Sequence, residues 1–102
     1  GRVLRALLRS FFGLSPTLDL HGLGVKEAVA ETERFLRAAA AAGEPQVRIV
    51  YGKGRGTPGG VGVLRAVIPR WLEQEGAPLV ERWERDLDAS GNDGAVRVWL
   101  RR

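Results

Sequence analysis

Between Thr17 and Leu100 the apolar residues switch between a two-residue and a 3.6-residue period four times, and this alternation restricts the fold more than any other feature. Thr17 to His21 reads as a short strand. Val25, Ala28, Val29, Thr32, Phe35, Leu36 and Ala39 then recur at i, i+3, i+4 as a helical stripe that ends in an Ala run and Gly43. Gln46 to Tyr51 is β-branched and alternating, a second strand that runs into the Gly-rich stretch Gly52 to Gly62. Val61, Leu64, Val67, Ile68, Trp71 and Leu72 form a second helical stripe. Pro69 lies inside it and is predicted to kink or tighten the helix, because it leaves a carbonyl one turn back unpaired. Leu79 to Trp83 and Ala95 to Leu100 are the last two strands, joined through the turn formers Ser90, Gly91, Asn92, Asp93 and Gly94. The order βαβαββ predicts an α+β, two-layer sandwich. Its mixed four-stranded sheet carries both helices on one face, since each βαβ crossover is right-handed.

Ahead of this unit, Val3, Leu4, Leu7, Leu8, Phe11 and Phe12 stand at helical spacing with Arg2, Arg5 and Arg9 between them. They predict a short basic amphipathic helix, and Gly13 to Thr17 with Pro16 punctuates the chain after it. Residues 1–16 are therefore read as an N-terminal helix or linker and residues 17–102 as the domain. A chain that opens at Gly1 with no Met reads as a piece of a longer protein.

Length and composition exclude several classes. At 102 residues the chain can bury roughly two-thirds of its unfolded surface, enough for one core and not for a two-domain enzyme. It has no Cys, which removes disulfides, thiol nucleophiles and thiolate metal sites, and its single His argues against structural zinc. No apolar run approaches the roughly 18 residues of a membrane span, so a cytoplasmic location is the expectation. The net charge of +4 is unevenly spread. Residues 45–72 hold Arg48, Lys53, Arg55, Arg65 and Arg70 and no carboxylate, whereas residues 73–93 hold seven carboxylates against Arg82 and Arg85. Such a partition, with 14 Arg to 2 Lys, is consistent with a polyanionic partner and equally with codon usage.

Two motifs carry chemistry. In Leu18-Asp19-Leu20-His21-Gly22, strand alternation sends Leu18 and Leu20 to one face and places Asp19 and His21 together on the other. A carboxylate that orients an imidazole is the arrangement general acid–base chemistry uses near neutral pH, although an isolated Asp-x-His also occurs on solvated strand faces. The second motif, Gly52-Lys53-Gly54-Arg55-Gly56, falls between a predicted strand and a predicted helix, where glycine amides, a helix N-terminus and two cations converge on a phosphate. Thr57 and Pro58 suit the N-cap and first helical positions. The alternative is a flexible connection. Two further matches fail in context. A P-loop requires Ser or Thr after its Lys, and Gly54 stands there; the Gly54-x-Gly56-x-x-Gly59 run follows the second strand of a chain too short for a dinucleotide fold.

A strand ending in Leu-Asp-Leu-His-Gly, a long amphipathic helix, and a strand running into Gly-Lys-Gly-x-Gly together resemble the small MutS-related (Smr) domain over residues 17–100. The resemblance implies a βαβαββ fold like the C-terminal domain of a bacterial translation initiation factor, and an association with nucleic-acid binding and endonuclease activity. Carried over by position, Asp19 and His21 match the first motif, and Gly52, Lys53, Gly54 and Gly56 match the second. The residue before the first glycine is commonly His or Thr in the family and is Tyr51 here. That departure removes one imidazole or hydroxyl from the expected site.

The resulting expectation is an endonuclease for RNA or DNA phosphodiesters. Asp19 and His21 are its catalytic pair, and Gly52, Lys53, Gly54, Arg55 and Gly56 bind a backbone phosphate. RNA cleavage through its own 2′-hydroxyl needs no cofactor, whereas DNA cleavage needs an activated water, plausibly on a divalent cation near Asp19. The partner is nucleic acid, with no membrane, no small-molecule cofactor and no dedicated metal ligands. Two other readings stay open: a non-cleaving nucleic-acid module of a larger protein, and a protein-interaction unit using Glu73 to Asp93.

Overall fold

In the computed structural model, residues 15–52, 61–87, 91 and 93–101 are described. The expected N-terminal helix, and Lys53, Gly54, Arg55 and Gly56 of the second motif, lie outside them. The elements run β1 (Thr17–Asp19), α1 (Val25–Ala41), β2 (Gln46–Val50), α2 (Val61–Glu73), β3 (Val80–Leu87) and β4 (Asp93–Leu100). They form one four-stranded sheet in the order β1-β2-β4-β3. β1 pairs parallel with β2, while β4 is antiparallel to both β2 and β3. The sheet is therefore mixed, as the sequence predicts. α1 links two adjacent parallel strands, and α2 carries the chain over β4 to the far edge.

Strand alternation sorts the two faces. Leu18, Val47, Ile49, Val96, Val98 and Leu100 are buried in a single core with Ala28, Phe35, Leu36, Leu64, Ile68 and Leu72 from the helices. Both helices thus cover one face, and α1 also touches α2. The side chains that alternate with these, Asp19, Gln46, Arg48, Val50, Arg97 and Trp99, stand on the other face and are only partly buried.

The chain ends its first helix where the sequence says it should. The Glu44 N–H donates to the Ala39 carbonyl and the Gly43 N–H to Ala40, a Schellman pattern whose left-handed position is Gly43 at φ 78°. α2 runs through the buried Pro69 without interruption. The last two strands are longer than their apolar residues indicate, because β3 continues through Glu84, Arg85 and Asp86. These are charged residues on an edge strand, where charge blocks unwanted pairing with another sheet.

After α2, the chain turns tightly back over its own helix. The Gly76 N–H donates to the Trp71 carbonyl, and a Cβ on Gly76 would lie 2.6 Å from the buried Trp71 ring. Gly76→Ala is expected to displace that ring and cost about 1–3 kcal/mol, a drop in the melting temperature measurable by circular dichroism. A melting temperature equal to the parent's would mean that the turn relaxes freely.

Candidate catalytic site

β1 and β2 run parallel, so their carboxyl ends finish side by side, the place where α/β sheets position ligands. Asp19 faces Val50 across the pair, and the Leu20 N–H still donates to the Val50 carbonyl at 2.7 Å. There the strand stops. The Leu23 N–H donates to the Leu20 carbonyl, closing a β-turn with His21 and Gly22 at its centre. Gly22 has φ 83°, the left-handed value that the third residue of a type II turn requires and that glycine adopts without strain.

His21 is therefore not on the strand, as alternation had placed it, but on the turn that follows. Its meeting with Asp19 has a different cause. The Asp19 carboxylate accepts the His21 backbone N–H at 3.0 Å and faces His21 Nδ1 with both oxygens, at 3.0 and 3.1 Å. Backbone and ring are thus held by one side chain. An ionised carboxylate can only accept, so the ring nitrogen facing it carries the proton and a neutral imidazole keeps its lone pair on Nε2. The imidazole is 75% exposed and its carboxylate partner 34%. The ring is fixed on its inner edge and open to solvent on its outer edge.

The second motif begins beside this pair. Tyr51 and Gly52 both donate their N–H to the Gly94 carbonyl, at 3.0 and 3.1 Å, which ties the end of β2 to the start of β4. Gly52 then turns away at φ 106°. The described structure thus brings Asp19, His21 and Gly52 to one end of the sheet, with Gly94 on the side of β2 away from β1. Tyr51 follows Val47 and Ile49 on the helix face and is fully buried. It points away from the face that carries Asp19.

Charges segregated in sequence meet in space. Asp86 of β3 accepts from Arg48 of β2 and, at 3.5 Å, from Arg97 of β4, and Arg97 also donates to Gln46 and to the Ser15 hydroxyl. Glu84 pairs with Arg82, and Glu73 accepts the Trp83 indole N–H at 3.1 Å. Asp86, Glu84 and Glu73, all within the acidic stretch, are therefore engaged inside the domain. Sequence reading missed these pairings, and it missed Arg82 lying over the Trp99 ring at 3.6 Å. Arg97 and Trp99 alternating with Val96, Val98 and Leu100 were the available signal.

Comparison with known proteins agrees with this architecture. Endonuclease MutS2 of Thermomicrobium roseum is 39% identical over 87 residues, 85% of this chain, and that of Levilactobacillus brevis is 50% identical over 86 residues, 84% of it. The chain spans about 10% of the length of these curated relatives. Among solved structures, the Smr domain of Thermus thermophilus MutS2 superposes with a TM-score of 0.71 at 32% identity, covering 84% of this chain and 98% of that one. YdaL, a stand-alone small MutS-related protein from Escherichia coli, gives a TM-score of 0.73 at 29% identity, with 95% of this chain and 75% of that one covered. The Smr domain profile matches residues 18–101, a span that holds both motifs and all six elements apart from Thr17, and the chain belongs to the Smr domain family.

Proposed function

We propose that this domain is a nucleic-acid endonuclease in which Asp19 and His21 perform the proton transfer and the Gly52–Gly56 stretch holds a backbone phosphate. The observation that carries the proposal is the Asp19–His21 pair. One carboxylate fixes both the backbone and the ring of an exposed imidazole, which aims a general base outward from the carboxyl end of a strand, and the Gly-rich motif starts alongside. Relatives named as endonucleases support the same reading.

On RNA, Nε2 of His21 removes the 2′-hydroxyl proton. The 2′-oxygen then attacks the adjacent phosphorus, and the bond to the 5′-oxygen breaks as that oxygen takes up a proton from water, to which the imidazolium later returns its own. Asp19 stabilises the imidazolium formed on the way. Lys53, Arg55 and the loop amides offset the charge that develops on the phosphate. On DNA the internal nucleophile is missing, and an activated water must replace it. Tyr51, buried on the helix face, takes no part in this chemistry.

The test is incubation of the purified domain with end-labelled single-stranded RNA in EDTA. Cleavage to products ending in a 2′,3′-cyclic phosphate is the expected result. No cleavage of RNA in EDTA, followed by none of DNA with Mg²⁺, would leave a binding module only.

A further inference from the structure

The helix-free face of the sheet holds a built contact that the chemistry above does not use. Arg82 of β3 stands opposite Trp99 of β4, and its guanidinium carbon lies over the indole at 3.6 Å from the ring centre. Glu84 pairs with the same guanidinium from two residues along the strand. The indole and the carboxylate together hold the arginine in one place on the sheet. Its outer surface stays open, since the Arg82 side chain is 54% exposed. A planar, delocalised cation backed by an indole is a surface on which a nucleobase stacks, whatever its sequence.

The position of this stack on the sheet supplies the second observation. Asp19 faces Val50, and Trp99 faces Gln46, four residues earlier on β2. Strand rise and spacing then put Trp99 about 13 Å along the sheet and about 10 Å across it from Asp19, on the same face, with Arg82 one strand further. Arg48 and Arg97 lie between, each half-buried and held by Asp86. The path from His21 to Arg82 thus crosses two ordered guanidiniums and ends on a stacking platform a few nucleotides away.

We propose that the Arg82–Trp99 stack is a base-stacking subsite for single-stranded RNA, which lays the strand across the helix-free face and into the Asp19–His21 site. The proposal rests on the nucleic-acid reading above and adds to it the form of substrate, an unpaired strand. Duplex bases are already stacked on each other and cannot use the platform.

The experiment measures binding of the full 102-residue chain to a short labelled oligouridylate and to a blunt RNA duplex, over a salt series. Trp99→Leu keeps apolar bulk and charge while removing the ring, and Trp99→Phe restores a ring. Trp99→Leu is expected to bind the single strand about tenfold more weakly, with an unchanged salt slope and unchanged duplex affinity, and Trp99→Phe is expected to recover most of the loss. Wild-type affinity for the single strand in Trp99→Leu, or an equal loss on single strand and duplex, would overturn the subsite and leave the catalytic reading standing. Failure of the parent chain to bind either probe would overturn both.

Discussion

His21→Ala is expected to bind single-stranded RNA as the parent does and to cleave it about 10²–10⁴-fold more slowly, the usual share of a positioned general base. The ring is three-quarters exposed, so its removal opens no cavity and costs the fold little. Binding persists because the groups proposed to hold the phosphate lie on another segment. Loss of kcat and of kcat/KM in equal measure is the signature of a group that acts only in the transition state. Asp19→Asn makes the complementary case. An amide can present its own N–H to the ring and turn the imidazole to the wrong tautomer, so turnover falls although the ring is present. A His21→Ala variant that cuts at the parent rate would remove the general base from the turn after β1.

The fold was legible because period carries it. Thr32, Phe35, Leu36 and Ala39 point α1 at the core, and Val47 and Ile49 do the same for β2, so the order of elements and the shared helix face follow from spacing alone. What spacing could not give is the contact between distant segments. Arg48 and Asp86 are 38 residues apart and belong to stretches of opposite charge, and only the strand order β2-β4-β3 brings them together. β3 extends past its apolar residues for a related reason. Its second half is charged, which marks a strand on the sheet edge rather than the absence of one. The first motif shows both sides of the matter. Strand alternation correctly paired Asp19 with His21, yet the pair is made by a turn, and the residue that makes the turn possible is Gly22. The motif is thus a strand end, a β-turn and a left-handed glycine in five residues.

Tyr51 separates the structural from the chemical reading of the second motif. It is the largest fully buried side chain in the described structure, packed on the helix side of β2 immediately before Gly52, and its N–H helps fix the end of the strand to Gly94. Tyr51→Ala is expected to cost about 3–5 kcal/mol, since it empties an aromatic volume from a close-packed core, and a domain of this size has few kcal/mol to spare. Its melting temperature should fall by more than about 10 °C. Tyr51→Phe keeps the ring and removes one hydroxyl, which is expected to cost only about 1 kcal/mol and to leave the cleavage rate within about twofold of the parent's. The two variants together place the residue. A Tyr51→Phe protein with the parent's melting temperature and RNA affinity but a cleavage rate lower by a factor of ten would show the phenol taking part in the reaction. The parent's rate in Tyr51→Phe, beside collapse of Tyr51→Ala, assigns the position to the core. Burial predicts the second result, because a side chain with no exposed surface cannot touch a bound substrate.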